Sequence, residues 1–268
     1  MKTPALLLSA SLFLAATGTT IAQPANDHFA NAIVMNNYLV TGSNVNATKQ
    51  ANDPGSVALQ NGGRSPTGGR SVWWRWTAPD SRRYTVKTGD RSGKEPSSNF
   101  DTQLGVYTGA TLGTLVEVGS NEDNVLYPSG LSSVEIDAVQ GQTYHIMVDG
   151  YGGQTGTIYL YVIPTRYTLS VSANPPGSGS VSFDPVFESE GYLAGTVVTL
   201  TATPNSSTNF YGWSGDAGGR SNVINVVMNS SKHVVANFFN EPQVVLNDPQ
   251  LLWQNRSGPV AAWFFTGT

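Results

Sequence analysis

Ser71-Val-Trp-Trp-Arg-Trp-Thr-Ala-Pro79 decides the fold class. Side chains along a strand alternate between faces, so Val72, Trp74 and Trp76 fall on one side and Trp73, Arg75 and Thr77 on the other. Bulky residues on both faces predict a strand at the centre of a sheet. Downstream, further strands are predicted at Arg82 to Thr88, Thr102 to Tyr107, Thr114 to Gly119, Ser132 to Ala138, Thr143 to Val148 and Thr155 to Ile163. Turn signals at Thr108-Gly109, Gly141-Gln142 and Gly150-Tyr-Gly-Gly153 separate them. Seven or eight strands at this spacing predict a jelly-roll-like β-sandwich. No helix-length periodic segment lies between them, which excludes a parallel α/β fold.

Upstream of this stretch, Gly55 to Arg70 reads as a Gly/Asn/Pro-rich loop. Asn26 and Asp27 before Phe29, Ala30, Ala32 and Ile33 predict one short capped helical turn. Lys2, the uncharged run Ala5 to Ala16 and the small residues up to Ala22 have the three parts of a secretory signal peptide, residues 1–22. The apolar run is shorter than the ~20 residues of a membrane-spanning helix. The mature chain is therefore expected to be secreted or held at a cell surface, with no membrane span after cleavage.

Composition agrees with strands and tight turns: 29 Gly, 15 Pro, 10% aromatic and 12% charged residues. There is no cysteine, so no disulfide framework supports the fold. A net charge of −4 provides no basic field for phosphates, and nucleic acid is excluded as an expected partner.

After Pro164 a second module starts with almost no linker. Tyr167, Leu169 and Val171 alternate with Thr168, Ser170 and Ser172, and Asn174-Pro-Pro-Gly-Ser-Gly179 turns the chain into Ser180-Val-Ser-Phe183. Later strands are predicted at Thr196 to Thr203, Phe210 to Ser214, Asn222 to Met228 and Lys232 to Phe239. From Val244 the β pattern restarts, with Asp248-Pro-Gln-Leu-Leu-Trp-Gln-Asn255, a turn at Ser257-Gly258, and Val260 to Thr268.

Three family resemblances are carried by these residues. Pro24 to Ala32, Ser71 to Pro79, Phe100-Asp-Thr-Gln-Leu-Gly-Val-Tyr-Thr-Gly109 and Tyr144-His-Ile-Met-Val-Asp-Gly-Tyr151 together resemble the pre-peptidase C-terminal-type β-sandwich modules, over about residues 24–163. Phe210-Tyr-Gly-Trp-Ser-Gly-Asp216 and the alternating stretches around it resemble a divergent bacterial internalin-type B-repeat, over about 166–240. Residues 244–268 resemble the start of an integrin-type β-propeller repeat. The resemblances imply an all-β chain: sandwich, then a small β-grasp-like repeat, then an incomplete propeller blade. Propellers need several blades, so the sequence is expected to be a piece of a longer protein or the product of a gene cut short. The implied function is a non-catalytic accessory or adhesion segment of an exported bacterial surface protein. The alternative is a set of appendage modules of a secreted hydrolase, a peptidase or glycoside hydrolase, whose catalytic domain lies outside this chain. A third reading is a spacer with no ligand.

The search for chemistry supports a chain that is not an enzyme. Gly212-Trp-Ser-Gly-Asp216 departs from the Gly-x-Ser-x-Gly elbow at its last residue, and no helix follows. His28, His145 and His233 have no second His or Cys at metal-ligand spacing, which argues against zinc; His145 is expected to face solvent. Gly89 to Lys94 is too short for a phosphate loop. Carboxylates give one candidate site: Asp101 and Asp123, at expected strand ends with Asp149 near a third turn, as ligands of calcium, which takes ~6–8 oxygens. The competing reading is a set of Asx turns. Trp73, Tyr107, Tyr127 and Tyr151 are candidate exposed aromatics for stacking on a ligand. Expected partners are an extracellular polysaccharide or protein, and the chain is expected to be a monomer.

Overall fold

The computed structural model describes residues 22–59, 62–90, 93–123, 130–186 and 189–240. All but the last residue of the expected signal peptide, and the whole expected propeller segment, lie outside the described residues. The chain divides into two compact units between Arg166 and Tyr167.

The first unit contains β1 (Ile33–Val34), β2 (Leu39–Ser43), β3 (Ser56–Ala58), β4 (Arg64–Pro66), β5 (Val72–Thr77), β6 (Arg82–Lys87), β7 (Thr102–Thr108), β8 (Val116–Asn121), β9 (Ser133–Ala138), β10 (Thr143–Gly150) and β11 (Thr157–Pro164). One sheet has the order β1-β5-β10-β7-β8 and the other β2-β11-β6-β9. Their inner faces enclose a core that includes Val72, Trp74, Trp76, Tyr84, Leu104, Val106, Ile136, Ile146, Val148, Ile158 and Leu160. Gly42 in β2 leaves room for this packing, since a Cβ there would lie 2.7 Å from the Trp74 ring.

Alternation along β5 is as read from the sequence, but its position differs. The central strand of the sheet is β10; β5 lies beside it, with only the two-residue β1 on its outer side. Its outward face is bulky for another reason: the N-terminal segment folds over it. Trp73 and Tyr107 pack with Ala32, Val57 and Met147 in a second cluster, capped by Phe29, Leu112 and Leu115. Phe29 meets the Trp73 ring edge-on at 5.2 Å.

The expected helical turn is a three-residue 3₁₀ turn, Phe29–Asn31, and no side chain caps it. Asn26 and Asp27 bond to more distant segments. Asn26 Nδ2 donates to Trp73 O (3.0 Å), and Asp27 accepts from the Thr48 backbone N–H and hydroxyl. Gly55 to Arg70 is also more ordered than a loop, since β3 and β4 form a hairpin within it.

Strand β12 (Arg166–Tyr167) straddles the division, and the second unit contains β13 (Leu169–Asn174), β14 (Gly179–Asp184), β15 (Tyr192–Leu193), β16 (Val197–Pro204), β17 (Thr208–Gly215), β18 (Val223–Val227) and β19 (Lys232–Asn240). The three-stranded sheets β13-β19-β17 and β14-β16-β18 enclose Leu200, Ala202, Trp213, Val226, Met228, Val234, Ala236 and Phe238. β13 and β19 run parallel, while β17 returns antiparallel to β19 with a bulge between Phe210 and Gly212. Among the described residues no helix is long and apolar enough to cross a membrane.

Candidate functional site

Asp101 immediately precedes β7, and Asp123 follows β8, its antiparallel neighbour. The hairpin-like pairing of these strands brings both aspartates to one end of the sandwich, where they line a cleft of about 750 Å³ with Arg64, Gly68, Glu122 and Tyr151. A second hollow of about 580 Å³, lined by Asn99, Gly130 and Gln154, shares both aspartates.

Burial, reinforced by the like charges of Asp123 and Glu122, pushes the Asp101 carboxyl up to about 6. Its Oδ1 is buried and has no hydrogen-bond partner. Glu122 is itself buried and accepts from Ser65 Oγ at 3.0 Å. Among the described residues, however, no three His, Cys, Asp or Glu side chains converge closely enough to hold a metal ion.

Asp149 does not join the pair. It is 1% exposed, and its carboxylate accepts backbone N–H groups of Gly69 (2.9 Å), Arg70 (2.8 Å) and Gly150 (2.7 Å). Burial raises its pKa and these three bonds pull it back, as fits a carboxylate used to pin a loop. Asn121 ties the end of β8 to its surroundings: its Nδ2 donates to Asp123 O and its Oδ1 accepts from the Ser133 N–H.

The candidate aromatics divide. Trp73 and Tyr107 are 0% and 3% exposed, so they belong to the packed outer cluster and offer no face to a ligand. Tyr151 is exposed on the rim of the carboxylate cleft, and Tyr127 lies outside the described residues. The sequence reading missed Tyr38, 60% exposed beside a separate cleft at the other end of the sandwich.

The histidines are engaged locally. His28 Nδ1 meets Gln50 Nε2 at 2.9 Å. His145 sits on the outward face of β10, but the Phe29 ring covers it at 4.5 Å, so the expected solvent-facing position is only partly open. Burial is the main cause of its lowered pKa, and its Nδ1 has no partner.

His233 Nδ1 lies 2.9 Å from Ser170 Oγ across the parallel β13–β19 pair. The nearby Asp216 does not orient that imidazole; its Oδ2 accepts the His233 backbone N–H at 2.7 Å. The same contact explains the Gly212-Trp-Ser-Gly-Asp216 motif. Gly215 takes φ +89°, and a Cβ there would lie 2.4 Å from His233 O. Trp213 inserts into the core and donates its indole N–H to Ser221 O at 2.8 Å. Ser214 Oγ accepts from Asn237 Nδ2. The motif therefore builds a tight turn against β19.

Residues 168–242 match the family model described as a divergent InlB B-repeat domain. No curated protein matches the chain. Among solved structures, one that is similar contains the M60 catalytic domain with the CBM51-1 and CBM51-2 domains of Clostridium perfringens ZmpB. The identity is 10% and the TM-score 0.20, with 66% of this chain and 19% of that chain covered. The present chain thus spans about a fifth of that structure's length. Neither match extends the resemblance of residues 24–163 to pre-peptidase modules.

Proposed function

We propose that this chain is a non-catalytic accessory or adhesion segment of an exported bacterial surface protein that holds an extracellular polysaccharide or protein. The observation that carries this reading is the B-repeat match in the second unit, directly following a β-sandwich. In support, the serine, the histidine and two of the aspartates that a hydrolytic site would draw on are engaged in local structure. Asp149 and Asp216 hold backbone N–H groups, and Ser170 and His233 form an exposed cross-strand pair. The accessory role is accordingly one of presenting surfaces on two rigid β scaffolds.

The test is to screen the purified full chain against immobilised polysaccharides and matrix proteins, and in parallel against peptidase and glycosidase substrates. Saturable binding without turnover is the expected result. Turnover that disappears in Ser170→Ala or His233→Ala would overturn the non-catalytic reading.

A further inference from the structure

The sandwich has a second concave surface, at the end away from the carboxylates. Register fixes the geometry: Val148 pairs with Val72 and Thr143 with Thr77, so Asp149 and Trp76 lie toward opposite ends of the β5–β10 pair. At the Trp76 end, the chain crosses from β1 to β2 through Met35-Asn-Asn-Tyr38. This crossing, with the ends of β5 and β11 and the start of β6, bounds a cleft of about 470 Å³. That volume falls within the ~300–1,000 Å³ of small-ligand sites.

The lining is chemically distinctive. Trp76 and Tyr84, buried at 8% and 4% exposure, meet edge-on at 4.7 Å and form an apolar floor continuous with the core, to which Pro79, Val162 and Pro164 add surface. Tyr38 stands at the rim, 60% exposed, and Asn36 and Asn37 beside it are also exposed. Among the described residues, no Lys, Arg, Asp or Glu lines the cleft. Asp80, which accepts from the Tyr84 hydroxyl at 3.1 Å, is itself paired with Arg82 at 2.6 Å. The crossing segment is held at both ends: the Met35 N–H donates to Arg75 O and the Val162 N–H donates to Tyr38 O, each at 2.9 Å. The rim is therefore fixed before any ligand arrives, which reduces the ordering cost of binding.

We infer that this cleft, framed by Asn36, Asn37, Tyr38, Trp76 and Tyr84, is a binding site for an uncharged glycan. The inference rests on the surface-binding reading above and names its ligand class and place. The exposed Tyr38 ring suits the flat C–H face of a sugar ring, over an apolar floor of Trp76 and Tyr84. Two adjacent amides, each offering donors and an acceptor, suit neighbouring hydroxyls that both donate and accept. An ionic ligand would lose hydration without gaining a counter-charge from the lining. A proline-rich strand would bring few N–H donors, because each proline lacks one, and so would match the Asn carbonyl oxygens less well than sugar hydroxyls do.

The experiment uses the full chain in pull-downs with insoluble cellulose, chitin, xylan and starch, and in titrations with their soluble oligosaccharides. Heparin, polygalacturonate and a proline-rich peptide are the comparison ligands. At least one neutral glycan should bind saturably. Tyr38→Ala and the double variant Asn36→Ala/Asn37→Ala should each weaken it by about tenfold or more, as expected for a central stacking or hydrogen-bonding anchor. Both should melt within about 2 °C of the parent, because exposed positions contribute little to stability. Tyr211→Ala, at an exposed position of the second unit, should leave binding unchanged.

Glycan binding that survives the Tyr38 and Asn36/Asn37 variants would overturn the inference while leaving the accessory reading intact. So would binding confined to the charged polymers, the peptide or a matrix protein. Turnover of a neutral glycan would instead defeat the accessory reading. Absence of binding to every neutral glycan would defeat the inference alone.

Discussion

Two carboxylates of the first unit, Asp149 and Asp101, serve different purposes. Asp149 is satisfied by three backbone N–H groups, whereas Asp101 has a buried oxygen without a partner and two acidic neighbours. Folding raises the Asp101 pKa from the ordinary 3.8 to about 6 and so favours its protonated form. Its contribution to stability is present below the ordinary value and is lost as pH rises through about 6. In chelator, Asp101→Asn should therefore gain stability relative to the parent as pH is raised from about 4 to about 7, a difference read from paired urea titrations. A constant offset across that range would show that Asp101 does not titrate in this window. We further propose that Asp101 and Asp123 are calcium ligands, although no third acidic, His or Cys side chain among the described residues completes a metal-holding group with them; the ion would relieve the same repulsion. Calcium should then raise the melting midpoint of the parent near pH 7 by mass action and leave that of Asp101→Asn unmoved. Identical parent midpoints with calcium and with chelator would remove the ion from this pair.

Strand β5 was legible in the sequence because its alternation is strong, and β6 to β11 followed from the same pattern and their turns. What covers the outer face of β5 was not legible. The Phe29 contacts with Trp73 and His145 join residues 44 and 116 positions away in the chain, as the residue numbers show, and local periodicity carries no information at that separation. The strands β3 and β4, three residues each, are too short to display a period among Gly and Pro. The candidate site was read in part. Asp101 and Asp123 do share a cleft, but Asp149 belongs to loop architecture, and Trp73 and Tyr107 satisfy a satellite core. The Phe29 cover itself makes a prediction. Burial lowers the His145 pKa, so the folded state prefers neutral imidazole; the associated stability is present above the ordinary 6.5 and is lost as pH falls below it. Phe29→Ala should cost about 2 kcal/mol, less than the ~3–5 kcal/mol of a fully buried ring. By NMR titration it should also bring the His145 pKa back toward 6.5. An unchanged titration would mean that sheet neighbours, and not Phe29, desolvate the imidazole.

Two cores with no shared residue imply two separable stabilities. Trp74 is fully buried in the first core and Trp213 is 6% exposed in the second. The described part of the second unit, 167–240, lies near the ~70–80 residues below which one apolar core supplies only ~3–5 kcal/mol. The chain has no cysteine, so no disulfide supplements that core. The first unit is larger and, with its outer cluster, buries more aromatic surface, and it should melt at the higher temperature. Calorimetry of the full chain is therefore expected to resolve two transitions. Truncating a core tryptophan costs ~3–5 kcal/mol, comparable to the whole stability of the smaller unit. Trp213→Ala should abolish the lower transition and leave the upper one in place. Trp74→Ala should lower the upper transition and leave the lower one where it was, because sites without shared partners act additively. A single transition displaced by both variants would mean that the units unfold as one body, and the division at Arg166 would then have no thermodynamic counterpart.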